Sequence, residues 1–167
     1  PVALTAGSRV DELVRLARIH RPRLAVIADE SRYRDLCREL EPLGIECAAG
    51  VDAIAEAAAL PEVDMTVTAT VGYSGLLPTV KAIEAGKEIA LANKETLVVA
   101  GAFIEQLLAE SSSKIYPVDS EHSAIYQCLK GEDSSAVSRL YITASGGPFR
   151  TWQRERIASA KASDALK

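Results

Sequence analysis

The sequence predicts an α/β fold, a mostly parallel sheet with helices on both faces followed by the start of an α+β region. Three observations predict it. Short apolar, β-branched runs alternate with stretches of helical spacing, and the connections between them are short and punctuated by glycine or proline. The upstream runs read as buried strands, whereas a later one, over 139–144, alternates apolar and polar residues like a half-exposed strand.

Taken in order, residues 2–6 form a strand closed by Gly7-Ser8-Arg9, and Val10, Leu13, Val14, Leu16 and Ala17 mark the apolar face of the helix that follows. Residues 24–28 form a second strand. Leu36, Leu40 and Leu43 support a helix that stops near Gly44, and residues 45–48 form a short third strand. Residues 51–60 are alanine-rich and helical up to Pro61. An alternating strand over 65–70 runs into Val71-Gly72-Tyr73-Ser74-Gly75, and helical spacing over 76–85 stops at Gly86. Residues 88–92 are strand-like and end in Asn93-Lys94-Glu95-Thr96. A longer helix through Leu108, a strand around Ile115 and a helix over 122–129 bring the unit to about six strands, expected in one parallel sheet.

Residues 130–138, with Gly131, Glu132, Asp133, Ser134 and Ser135, are the clearest break in composition and place a domain boundary near residue 130. The 139–144 strand is expected to leave the first sheet for a second one. Ser145-Gly146-Gly147-Pro148-Phe149 closes it, and a polar tail follows with Trp152, Ile157 and Leu166 as its large apolar anchors.

Composition narrows the function. The 167 residues are 48% hydrophobic and 25% charged, enough apolar material for a sizeable core and unlike a disordered chain. A formal net charge of -4 leaves no basic stripe for counterion release, which argues against nucleic acid as a partner. No apolar run approaches the roughly 20 residues that span a bilayer, so no membrane is expected. Cys37, Cys47 and Cys128 are odd in number and lack Cys-x-x-Cys spacing, so they are expected to be buried reduced thiols, which fits a cytoplasmic protein. The chain opens with Pro1, already inside a strand-like run, and its natural beginning is expected to lie upstream.

Chemistry concentrates where strands end. In an open parallel sheet, residues just past the carboxyl ends of strands face the ligand crevice. Asp119 and Glu121, two residues apart after the Ile115 strand, could turn carboxylates toward one hard divalent cation such as Mg2+ or Mn2+. Alternatively, Asp119 caps the next helix while Glu121 interacts favourably with its dipole. Lys94, flanked by Asn93 and Glu95, could meet a phosphate, hydroxyl or carbonyl, or simply open a helix. Gly7-Ser8-Arg9 ends the first strand with no acidic residue for a ribose 2'-hydroxyl, and an arginine there suits a 2'-phosphate or is an ordinary exposed turn residue. Ser145-Gly146-Gly147 offers a hydroxyl and backbone N–H groups to an anion, or forms a plain glycine turn. Neither a G-x-G-x-x-G nor a Walker A loop occurs in the chain.

Taken together, Leu91-Ala92-Asn93-Lys94-Glu95-Thr96-Leu97-Val98, Pro117-Val118-Asp119-Ser120-Glu121-His122-Ser123-Ala124-Ile125 and Ser145-Gly146-Gly147-Pro148-Phe149-Arg150, with Val71-Gly72-Tyr73-Ser74-Gly75-Leu76-Leu77-Pro78-Thr79, closely resemble the 1-deoxy-D-xylulose 5-phosphate reductoisomerase family. The resemblance covers essentially the whole chain. It implies a Rossmann-like NADPH-binding domain over 1–130 and the beginning of a catalytic, metal-binding domain over 131–167. The implied reaction isomerises and reduces 1-deoxy-D-xylulose 5-phosphate to 2-C-methyl-D-erythritol 4-phosphate in non-mevalonate isoprenoid synthesis, with NADPH and Mg2+ or Mn2+ as cofactors.

The resemblance makes Asp119 and Glu121 metal ligands, Lys94 and Glu121 catalytic, and Lys94, Ser120, Glu121 and Ser145 the residues that touch the phosphosugar. Gly7, Ser8 and Arg9 match the segment at the adenosine end of NADPH, and Asn93 and Glu95 match residues toward its reactive end. Where the family commonly has Lys then Asn, this chain has Ser8 then Arg9, whose charge could replace that of the lysine. The family's Gly-rich loop would precede Pro1, and a third metal-ligating Glu, a substrate-binding His and an Asn-Lys pair would follow Lys167. The implied parent is a homodimer, and this central piece alone is expected to be inactive. The competing readings are a non-catalytic nucleotide-binding α/β domain and another NADP-dependent oxidoreductase. The intact Lys94 and Asp119-Ser120-Glu121 argue against the former, since a domain without chemistry has no physical need for them.

Overall fold

A computed structural model describes residues 1–166, and the chain divides into two compact units, one over Pro1–Asp119 and one from Ser120 onward. The division falls ahead of the composition break near residue 130.

The first unit alternates strand and helix: β1 (Ala3–Ala6), α1 (Val10–His20), β2 (Leu24–Ile27), α2 (Tyr33–Leu40), β3 (Glu46–Ala49), α3 (Val51–Ala58), β4 (Met65–Thr68), α4 (Leu76–Glu84), β5 (Glu88–Leu91), α5 (Glu95–Ala109) and β6 (Ile115–Pro117). The helical spacing of Val10, Leu13, Val14 and Ala17 puts all four on one buried face of α1, and Asp11 and Glu12 in the first turn complement the helix dipole. Arg21 ends α1 in a left-handed conformation (φ 49°), its N–H donating to the Ala17 carbonyl at 2.8 Å. Pro22 then bars the helix from continuing. At the end of the next helical segment, Gly44 takes φ 72°, where a Cβ would be strained.

Among the described residues all strand pairings are parallel, as expected, but the single six-stranded sheet is not what forms. Two three-stranded sheets stand instead, β1-β2-β3 and β4-β5-β6. In the first, Leu4 pairs with Ala25 and Ala25 with Cys47; in the second, Thr66 pairs with Ile89 and Ile89 with Ile115. Each sheet has its own core. Val10, Leu13, Ala17, Ala25, Ile27, Leu36 and Leu40 pack in one, and Ala82, Ile83, Ile89, Leu91 and Ile104 in the other. The break falls at β1 and β4, whose outer edges line a cleft of about 520 Å³ together with Ile54, Ala57 and Ala58 of α3. α3 carries the chain from β3 to β4, but β4 forms its strand ladder with β5 alone, and a parallel ladder exists only where edges come within bonding distance.

The second unit contains α6 (Ser120–Leu129), α7 (Arg154–Ile157) and α8 (Ala162–Ala165). The strand expected over 139–144 is absent: those residues have no regular secondary structure and pair with no strand, with Tyr141 and Ile142 exposed. Alternation prepares a segment to pair, yet a strand needs a neighbour for its backbone groups. Near the chain's end, Phe149 and Trp152 meet edge to face with centroids 5.0 Å apart, and the Arg156 guanidinium lies 3.9 Å over the Trp152 ring. Residue 167, the last of the expected second domain, lies outside the described residues. No helix among the described residues is long and apolar enough to cross a membrane.

All three cysteines are free, as expected, but only Cys37 is buried; Cys47 is half-buried and Cys128 exposed. Cys128 lies on α6, a helix with no buried residue among those described.

Candidate functional site

Three strand ends carry the candidate residues of the first unit. β1 leads into Gly7-Ser8-Arg9, all exposed, and the Gly7 carbonyl accepts from the Asp29 N–H at 3.0 Å. A Cβ at Gly7 would meet nothing within 4 Å, so packing does not demand glycine there; what its absence leaves is bare backbone open to a ligand. Arg9 stands immediately before α1, and its exposed side chain is available to an anion at that strand end.

β5 and β6 are neighbours in register, with Leu91 opposite Pro117 and the Val118 N–H donating to the Leu91 carbonyl at 2.9 Å. Lys94 therefore follows one strand and Asp119 the next, at the same carboxyl edge of the sheet, as the sequence predicts for both. Lys94 and Glu95 are exposed and Asp119 is half-buried.

Asn93 is different. It is 1% exposed, and its side chain is committed inside the protein. Its Nδ2 donates to the carbonyls of Thr70 (2.5 Å) and Gly72 (2.9 Å), while its Oδ1 accepts from the Thr96 N–H (3.0 Å) and the Thr96 hydroxyl (2.6 Å). The sequence marked Asn93 but not Thr70 or Thr96. Its only hint of them was a run of small hydrogen-bonding residues at the ends of two strands.

In the second unit, Ser120 and Glu121 open α6, with the Ser120 hydroxyl 3.1 Å from Glu121 Oε2. The carboxylate in the first turn of a helix is held where the dipole favours negative charge. Ser145 is exposed beside Gly146 (φ 84°) and Gly147 (φ 48°), and the Gly147 N–H lies 3.5 Å from its hydroxyl. Such a turn leaves N–H groups and a hydroxyl available to an anion.

Asp119 and Glu121 each offer carboxylate oxygens, the donor type that a hard divalent cation takes. Among the described residues no group of three or more His, Cys, Asp or Glu side chains could hold a metal.

Parallel strands alternating with helices, with a glycine turn, an exposed lysine and a carboxylate just past strand carboxyl ends, define an open α/β protein, a class in which ligands bind beyond those ends. Residues 2–101 match the family model described as 1-deoxy-D-xylulose 5-phosphate reductoisomerase, and residues 115–167 match that of its C-terminal domain. The chain belongs to the 1-deoxy-D-xylulose 5-phosphate reductoisomerase family. It is 50% identical over 165 residues to the reductoisomerase of Bacteroides thetaiotaomicron, covering 99% of this chain and 42% of that protein. It is also 50% identical to the enzyme of Caulobacter vibrioides, covering 41% of it. A solved Zymomonas mobilis reductoisomerase in complex with NADPH superposes with a TM-score of 0.82 at 43% identity, covering 99% of this chain and 44% of that one. Another, in complex with NADPH, fosmidomycin and magnesium, gives 0.79 at 34% identity over 99% of this chain and 43% of that one. The chain thus spans less than half the length of the relatives it matches.

Proposed function

We propose that these 167 residues are the NADPH-binding part and the start of the catalytic part of an enzyme that isomerises and reduces 1-deoxy-D-xylulose 5-phosphate to 2-C-methyl-D-erythritol 4-phosphate. The observation that carries this reading is the continuous likeness, along almost the whole chain, to a reductoisomerase solved with NADPH. Lys94 and Asp119 at adjoining strand ends support it from the structure.

In this reading Gly7, Ser8 and Arg9 receive the adenosine end of NADPH. The bare backbone at Gly7 permits close approach, and Arg9 supplies positive charge toward the 2'-phosphate. Asn93 and Glu95 lie toward the cofactor's reactive end. The cofactor, when bound, supplies the hydride that reduces the aldehyde.

Asp119 and Glu121 hold Mg2+ or Mn2+ together with ligands from the remainder of the parent chain. The ion, when bound, supplies Lewis-acid polarisation of substrate oxygens, a contribution of several kcal/mol. Lys94 places a compact ammonium against the oxygen on which negative charge develops during the skeletal rearrangement. The Ser120 and Ser145 hydroxyls, with Glu121, orient the phosphosugar. Two identical parents pair as a homodimer in the cytoplasm, which the reduced cysteines suit.

The test is loss of NADPH absorbance when the full-length protein carrying these residues is mixed with 1-deoxy-D-xylulose 5-phosphate and Mn2+. Turnover that requires both the sugar phosphate and the metal is expected. Binding of NADPH without turnover would replace this reading with a non-catalytic nucleotide-binding domain.

A further inference from the structure

The Asn93 side chain holds the 70–75 turn and the first turn of α5 at once. On one side its partners are the carbonyls of Thr70 and Gly72, which only accept; on the other its partners include the Thr96 N–H, which only donates. A single orientation of the amide satisfies both sets, so the bonding pattern assigns nitrogen and oxygen without ambiguity. Lys94 sits between these anchors. It directly precedes α5, and its carbonyl accepts from the Leu97 (3.0 Å) and Val98 (3.1 Å) N–H groups.

Gly75 completes the arrangement. A Cβ there would lie 2.8 Å from Thr70 Oγ1, 2.9 Å from Asn93 Cγ and 3.0 Å from Asn93 Oδ1. Its φ is -79°, which any residue can adopt, so glycine is needed for space. The Gly75 carbonyl is itself held by the Thr79 hydroxyl at 2.7 Å, and Thr79 Oγ1 lies 3.2 Å from Thr68 Oγ1. Thr70 Oγ1 is buried at the same spot with no hydrogen-bond partner.

We propose that Asn93 is a positioning residue whose side chain, seated over Gly75 and shared with Thr96, locks the 70–75 turn to the start of α5 and so fixes where Lys94 stands. The proposal rests on the reading of Lys94 given above, and it confines the Asn93 side chain to this internal task. Any approach of the cofactor to residue 93 is then through its backbone.

Hydrogen exchange and kinetics test it together. Asn93→Asp keeps the shape but sets an oxygen against two carbonyls; Thr96→Val removes one hydroxyl bond and is the milder change; Thr96→Ser keeps that hydroxyl. In this chain, Asn93→Asp and Thr96→Val are expected to speed amide exchange over residues 71–76 and 95–98 by about tenfold or more, leaving β1 to β3 at wild-type rates, and Thr96→Ser to restore protection. In the full-length protein Thr96→Val is expected to lower kcat by about tenfold while KM for NADPH stays within about twofold, since a misplaced Lys94 affects the reacting state rather than cofactor binding. Unchanged exchange in Asn93→Asp, or faster exchange everywhere alike, overturns the clamp. A rise in KM for NADPH with kcat intact overturns the positioning role. Should the wild-type protein lack reductoisomerase activity, the proposed function fails while the exchange result still decides whether the clamp exists.

Discussion

Gly75 and Asn93 approach so closely that one added carbon on Gly75 would fall 2.9 Å from Asn93 Cγ, inside any real carbon–carbon contact. The neighbour cannot simply rotate away, because all four bonding directions of the Asn93 amide are already committed. Gly75→Ala is therefore expected to lower stability by about 1–3 kcal/mol, the usual cost of overpacking a tight site. Urea unfolding measures it, and an unchanged midpoint would show that the turn yields freely.

The two cores make a second expectation. Ile89 is fully buried on the central strand of its sheet and packs with Ile83, Leu91 and Ile104. Ile89→Ala removes buried methyl groups and leaves a cavity, at a cost of about 2–5 kcal/mol. Thermal unfolding followed by circular dichroism should show the loss.

The open edges of β1 and β4 are a liability. Met65 and Val67 on β4 are 45% and 65% exposed, and an exposed apolar edge invites another chain to pair with it. The isolated chain is expected to self-associate as its concentration rises. Val67→Lys should suppress this while changing stability by no more than about 0.5 kcal/mol, as expected for an exposed site. Sedimentation of both forms across a concentration series checks it, and equal association would clear the edge.

Cysteine reactivity should separate by site. Burial first, and then the neighbouring Cys37, pushes the Cys47 thiol from 9.0 up to about 12. A raised acid pKa favours the neutral thiol in the folded state, so this group's contribution to stability is complete below about pH 9 and declines as pH rises from there toward 12. Alkylation near neutral pH should label exposed Cys128 first and leave Cys47 and buried Cys37 largely unmodified until the chain unfolds. Mass mapping of the labelled peptides shows the order, and Cys47 reacting alongside Cys128 would contradict it.

For the full-length protein, Asp119→Asn and Glu121→Gln each remove a charged oxygen donor from the proposed metal site. Each is expected to reduce kcat by about a hundredfold or more, matching the several kcal/mol that a bound Lewis acid supplies. Raising Mn2+ should recover part of the loss if metal affinity is what fell.

Much was decided by the sequence alone because it is local. The apolar spacing of Val10, Leu13, Val14 and Ala17, the stop at Gly44 and the six short strands all arise from neighbours along the chain, and all six strands stand where they were expected. So do the positions of Lys94 and Asp119, since each follows a strand whose end is marked in the sequence, and the family was legible from a few ordered motifs. Pairing was not local. Residues 139–144 alternate like a strand yet stay unpaired, and β1 and β4 end as separate edges, because a backbone hydrogen bond needs a partner within reach and no single segment encodes the presence of its neighbour. The Asn93 clamp is likewise a tertiary decision. Thr70, Gly72, Gly75 and Thr96 become one hydrogen-bonded group only after β4 and β5 lie side by side and bring their ends together.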